Sequence, residues 1–287
     1  MRARTAALVV VAGLGWGIGF AGPSAIPSSA AARPALPGPV TLNADSITVD
    51  NRGTTLVARG HVAATYGALR VTSDALRINR PTGAATFRGR VAVTDPKGRA
   101  SAQEVTLTMT GGNRVTLVML SGRASVETPS YALLADLIAA DRQHDRLEAS
   151  GNVTLFSQPD LIVTGTRLSY DEGTRYAVIR GDAATRATIQ NRDGRIRGRW
   201  MEVFRKTGQA IIHGPVDAEI YDATLTGSDA TIDLDRGIAV VMGRVAVFRR
   251  QGTLLADRVT VYYRARRFVA EGTTHLTLRD LDESSSP

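Results

Sequence analysis

Residues 69–98 read LRVTSDALRINRPTGAATFRGRVAVTDPKG. Apolar and polar side chains alternate along both halves. Leu69, Val71 and Ser73 share one face; the parity then slips by one, and Leu76 and Ile78 continue that face. Phe87, Gly89, Val91 and Val93 alternate in turn. A period of two indicates strands with one buried face, not helices. An extra residue that keeps the apolar side inward marks a bulge or a corner. Asn79-Arg80-Pro81-Thr82-Gly83 and Asp95-Pro96-Lys97-Gly98 are turn sequences. The stretch therefore predicts bent antiparallel strands joined by hairpins.

The same pattern runs along most of the chain. Gly60, Gly89, Gly122, Gly151, Gly181, Gly214, Gly243 and Gly272 recur at spacings of 29, 33, 29, 30, 33, 29 and 29. Such regular self-similarity defines a repeat architecture. Sixteen residues before most of these glycines stands a small residue: Ala44, Ser73, Ala135, Gly165, Gly198, Gly227 or Ala256. Ala102 takes that role in the third unit, where four extra residues fall near Gly111-Gly112-Asn113. Folding the chain at the turns lays glycines opposite small residues, such as Gly60 opposite Ser73 and Gly243 opposite Ala256. A ladder of missing side chains is where a sheet can fold sharply. The prediction is all-β: an elongated, V-shaped β-jelly roll of about 16 bent antiparallel strands in eight ~29-residue repeats.

Residues 1–32 read as an export signal. Arg2 and Arg4 precede an apolar run, and Ser28-Ser29-Ala30-Ala31-Ala32 suits signal peptidase. An uncleaved anchor is the rival reading. A linker at 33–39 leads to repeats one to four at 40–157 and repeats five to eight at 158–278, with a disordered tail at 279–287. The chain has no cysteine, so disulfides, thiolate metal sites and cysteine nucleophiles are excluded. Its formal charge of +8 favours anionic partners.

No catalytic constellation stands out, and the protein is read as a non-enzyme without metal or cofactor. His61, His144, His213 and His275 lack ligand spacing. Asp45, Asp74, Asp136 and Asp257 recur at the corner, where backbone capping is expected. Arg195, Arg197 and Arg199 alternate along one strand, and Arg249 and Arg250 cluster later. These five are candidates for phosphate or membrane contacts, against a solvated outer face. Nucleic acid is not expected as a partner, because aromatic residues are only 5% of the chain. The inner face is mostly Val, Ile, Leu and Ala, with Phe87, Phe156, Phe268 and Tyr263 as larger members. It could form either a closed core or a groove open to acyl chains. The terminal strands leave unpaired edges that favour head-to-tail association, unless the tails cover them.

The units Ala44-Asp45-Ser46-Ile47-Thr48-Val49 with Ala58-Arg59-Gly60-His61-Val62, and Ser73-Asp74-Ala75-Leu76-Arg77-Ile78 with Phe87-Arg88-Gly89-Arg90-Val91, closely resemble the OstA-like repeat. That repeat is shared by the lipopolysaccharide-transport proteins LptA and LptC and by the N-terminal domain of LptD. The resemblance covers all eight units. It implies a V-shaped jelly roll that holds lipopolysaccharide acyl chains and passes them along a periplasmic head-to-tail bridge. The partners it implies are lipopolysaccharide or lipid A and LptC-like and LptD-like proteins. The implied lipid-binding positions are Ile47, Val62, Leu76, Phe87, Val91, Leu120, Val153, Leu155, Ile179, Val216, Val245, Val259 and Phe268. A cleaved leader and soluble body resemble LptA most, although eight units exceed a compact LptA. The alternative is an exported, adhesin-like β-solenoid without lipid cargo, whose parallel coils would not need mirror-symmetric hairpin spacing.

Overall fold

The computed structural model describes residues 41–50, 52–110, 114–157 and 160–278. The expected leader, linker and tail, and the turn at 111–113, lie outside the described residues. All regular elements among the described residues are strands. The chain divides into two compact units, 1–159 and 160–287.

Unit one opens with two short segments, β1 (Thr41–Asn43) and β2 (Ser46–Val49). Seven strands of 11 to 14 residues follow: β3 (Thr55–Tyr66), β4 (Leu69–Asn79), β5 (Ala84–Asp95), β6 (Gly98–Thr110), β7 (Arg114–Glu127), β8 (Tyr131–Asp141) and β9 (Arg146–Ser157). Each pairs antiparallel with the next, and each pair breaks register near its middle. The breaks line up, at Arg59/Val62, Thr72/Ala75 and Arg88/Val91 and onward to Leu134/Leu137. They divide every strand into a front half and a back half. The front wall contains β2, residues 55–59 and residues 75–79; the back wall contains β1, residues 62–66 and residues 69–73.

Unit two repeats this plan, with most strands cut into separate halves at the crease. β10 (Leu161–Asp171) pairs by its C-terminal half with β11 (Tyr176–Arg180) and by its N-terminal half with β12 (Ala187–Gln190). The chain then zigzags between walls through β13 (Gly194–Gly198), β14 (Trp200–Phe204), β15 (Gln209–His213), β16 (Val216–Ile220), β17 (Ala223–Gly227) and β18 (Asp229–Asp233). β19 (Ile238–Arg249) and β20 (Gly252–Tyr262) cross both walls again, and β21 (Arg267–Glu271) and β22 (His275–Leu278) end the front and back walls. Six pairs of these 22 segments are halves of one crossing strand, so 16 bent strands are present among the described residues. Their pairing is antiparallel, which rules out the parallel solenoid.

A sheet can bury one face only against another layer. Here that layer is the other wall of the same sheet. Val71 and Val91 on the back wall and Leu76 and Phe87 on the front wall are all buried.

The crease has a recurring local cause. Gly60, Gly89, Gly122, Gly151 and Gly243 have φ between 72° and 81°, and the residue after each has φ between 45° and 52°. Two successive left-handed residues turn the strand, and glycine takes the first at little steric cost. The pairing shifts the sequence-based alignment by one residue. Gly60 and His61 together lie opposite Asp74, not opposite Ser73, whose partner is Val62. A Cβ on Gly60, Gly89 or Gly151 would strike the side chain of Asp45, Asp74 or Asp136. Those aspartates hold the second left-handed residue mainly by its side chain. Asp45 meets His61 Nδ1 at 2.9 Å, Arg90 Nη2 donates to Asp74 at 2.8 Å, and Asn152 Nδ2 donates to Asp136 at 3.0 Å. Backbone capping, expected for all four, is seen at Asp257, which accepts from the Thr273 amide at 2.7 Å. In unit two, glycines stand at three of the four small positions, with Ala256 at the fourth. A Cβ on Gly165, Gly198 or Gly227 would meet the side chain of Ile179, Ile212 or Val241.

Candidate functional site

The interior between the walls carries most of the residues singled out from the sequence. In unit one, Val62, Leu76, Phe87, Val91, Leu120 and Val153 are buried; in unit two, Ile179, Val216, Val245 and Val259 are buried. Phe87 is 0% exposed. Three others differ. Leu155 is half-buried, one inward position beyond Val153 and nearer the rim. Ile47 is 47% exposed, because β2 pairs only with β3 among the described residues. Phe268 is half-buried, with the Arg249 guanidinium 4.6 Å from its ring centroid. Phe156 corrects the sequence reading. It lies between inward Leu155 and buried Ser157, so it points outward and is 41% exposed.

The basic residues are more occupied than their spacing suggested. Arg195 and Arg197 both bond Glu219, at 2.7 and 2.5 Å, and Arg186 pairs with Asp217 beside them. The Arg195 hydrogen bond, aided by the charges of Arg195 and Arg197, holds the Glu219 carboxyl below its usual range. Arg249 donates to Asp222 at 2.9 Å. Arg199 and Arg250 are exposed.

Two features of unit two were not legible in the sequence. On the outer front wall, registers set Arg180, Trp200 and His213 side by side. The indole stacks on the imidazole at 3.9 Å, and His213 Nε2 lies 2.9 Å from Glu202, which also accepts from the Tyr176 hydroxyl at 2.5 Å. Burial, then that carboxylate, pushes the Tyr176 phenol up to about 12. On the side away from the crease, the Tyr221 hydroxyl reaches across from the back wall to the Tyr263 carbonyl oxygen of the front wall, at 2.5 Å. Arg266 lies 5.2 Å from the Tyr221 ring centroid. A cavity of about 180 Å³ opens beside this bridge, between the turn at 191–193 and residues 232–237 and 263–264. Nothing in the local alternation announces a contact between turns 42 residues apart. Among the described residues, no group of three or more acidic, histidine or cysteine side chains could hold a metal ion.

No curated protein sequence matches the chain. Among solved structures, one similar chain is LptH of Pseudomonas aeruginosa, described as the LptA-homologous periplasmic component of the lipopolysaccharide transport device. It is 16% identical over 53% of this chain and 92% of LptH, with a TM-score of 0.34. A family model described as LptA/(LptD N-terminal domain) LPS transport protein matches residues 41–209, more than half of the chain, and the protein belongs to that family.

Proposed function

We propose that the protein is a periplasmic carrier that binds lipopolysaccharide by its acyl chains between the two walls and passes it toward the outer membrane. One observation carries the reading: a protein of this transport family has an apolar interior in each unit, with Phe87 and Leu76 wholly buried in unit one and Val245 and Val259 in unit two. Each methylene transferred from water into such surroundings gains about 0.8 kcal/mol. A sheltered chain of roughly a dozen carbons gains on the order of 10 kcal/mol, enough to cross water without a covalent carrier. A lipid between the walls replaces contacts among their inward side chains by contacts of the same apolar kind.

Exposed edges support a bridging role. Ile47 and Val49 on β2, and Leu276 and Leu278 on β22, hold inward positions yet are exposed, Leu278 by 68%. Among the described residues each edge has backbone without a strand partner beside apolar side chains, which suits strand addition by another copy or by a similarly folded LptC-like or LptD-like partner.

The test is photo-crosslinking to lipopolysaccharide from a photoreactive residue placed at inward Phe87, Val153 or Val245, with outward Arg90 and Arg244 as controls. Adducts at the inward sites alone are expected. Equal labelling at both sets, or none at the inward set in folded protein, would overturn the reading.

A further inference from the structure

We infer that the side of unit two away from the crease is a lateral port, which admits the acyl end of a phosphate-bearing lipid between the walls and is latched by Tyr221. The inference rests on the lipid-carrying reading and adds where the chain passes in. The cavity there has an aliphatic floor drawn from both walls: Leu161, Ile189 and Ile196 on one side, Ile232 and Leu234 on the other. Its volume of about 180 Å³ equals roughly six waters' share of liquid, and a few terminal methylenes need similar room. An apolar floor under a polar rim fits a chain with a charged head rather than a wholly polar solute.

The rim supplies the matching charge. Arg264, Arg266 and Arg267 crowd the turn that closes the cavity on the front wall. Arg264 donates to the Asp235 backbone carbonyl at 2.8 Å, while Arg266 and Arg267 lie over the rings of Tyr221 and Tyr262. Among the described residues none of the three has a carboxylate partner, so their charges remain for an anion. Asp193 lines the opposite rim and disfavours an anion there, which places the phosphate on the arginine side. The latch is the hydrogen bond from Tyr221 to the Tyr263 carbonyl, with Arg266 held against the Tyr221 side chain. Tyr221 holds it from a tight turn at a φ of 54°, a conformation uncommon for so large a side chain. Burial, with the nearby Asp193 charge, pushes the Tyr221 phenol up, so it stays a neutral donor across the physiological range.

The test uses purified lipid A and a photoreactive residue at Leu161 in the cavity or at Val245 in the deep interior, each with and without Tyr221→Phe. That change removes the hydroxyl and keeps the ring, and circular dichroism verifies the fold. The expected result is labelling at both positions, with Tyr221→Phe raising the initial rate at Leu161 several-fold. A triple Arg264→Gln, Arg266→Gln, Arg267→Gln variant should lose most labelling at Leu161 with lipid A. With dephosphorylated lipid A, the same variant should match the unsubstituted protein. Labelling at Val245 with none at Leu161, or rates indifferent to Tyr221→Phe, would overturn the port while leaving the carrier reading intact. Labelling at neither position would sink the carrier reading and the port with it.

Discussion

At three creases in unit one, those of Gly60, Gly89 and Gly151, an absent side chain and a carboxylate share one small volume, and at Gly122 the Gln103 amide takes the carboxylate's place. Gly89 is the case to test, since its φ of 75° and the packed Asp74 side chain both oppose a Cβ. A left-handed conformation costs an ordinary residue about 1–2 kcal/mol. Gly89→Ala is therefore expected to destabilise unit one by at least that much, read from the denaturant midpoint. Gly67 has no atom within 4 Å of a Cβ position, so Gly67→Ala should cost only its conformational share. Charge at this scale is linked to pH. Hydrogen bonds and charges from Arg90 and Arg195 lower the carboxyls of Asp74 and Glu219 from ordinary values of 3.8 and 4.5. A lowered folded-state value means stability present above the ordinary value and lost as pH falls through the shifted one. Both carboxylates stand in water, so the effect is small. Glu219→Gln should flatten the decline in melting temperature between about pH 5 and pH 2, and an unchanged slope would refute the link.

Strands and walls follow from alternation, and here the sequence was a good guide. Period-two faces in Leu69–Ile78, Leu147–Val153 and Ala239–Val247 are the buried faces observed, because a half-buried antiparallel strand leaves that imprint. Phe87 is the largest fully buried side chain, and Phe87→Ala should cost about 3–5 kcal/mol in unfolding free energy. Legibility failed in two physical situations. One is the bulge, where counting residues cannot say which strand takes the extra one; that displaced the Gly60 alignment by a single position. The other is the far contact. The Tyr221 bridge and the Trp200–His213 stack depend on neighbours brought together by register across several turns. Phe156 was misplaced because hydrophobicity alone was taken as inwardness, whereas its parity with Thr154 and Asn152 already pointed outward. Phe248, which carried no sequence assignment, is likewise exposed. Both stand five residues after a crease glycine, where Thr65, Thr94, Glu127 and Glu219 stand in other units.

For the whole molecule the relevant quantities are edges and net charge. Leu276 and Leu278 are exposed on β22, which among the described residues pairs only with β20. Charged residues on an edge block pairing with a further strand. On the proposed strand addition, copies should associate with rising concentration in sedimentation velocity, and Leu276→Lys with Leu278→Lys should abolish that association while shifting stability by no more than about 0.5 kcal/mol, as expected for exposed positions. Persistence of the same oligomers would place the contact elsewhere. A charge of +8 adds mutual repulsion between copies, so the proposed association should strengthen as salt rises toward physiological levels. The crease glycines also bear on how such a gene can change. A single-base change in a glycine codon always leaves a non-glycine product or a synonym, and at these positions every non-glycine product is strained. Tolerance to mutation should therefore dip at Gly60, Gly89, Gly122 and Gly151, spaced 29, 33 and 29 residues apart, and again at Gly243. A library scan would show the architecture as a rhythm of depleted variants.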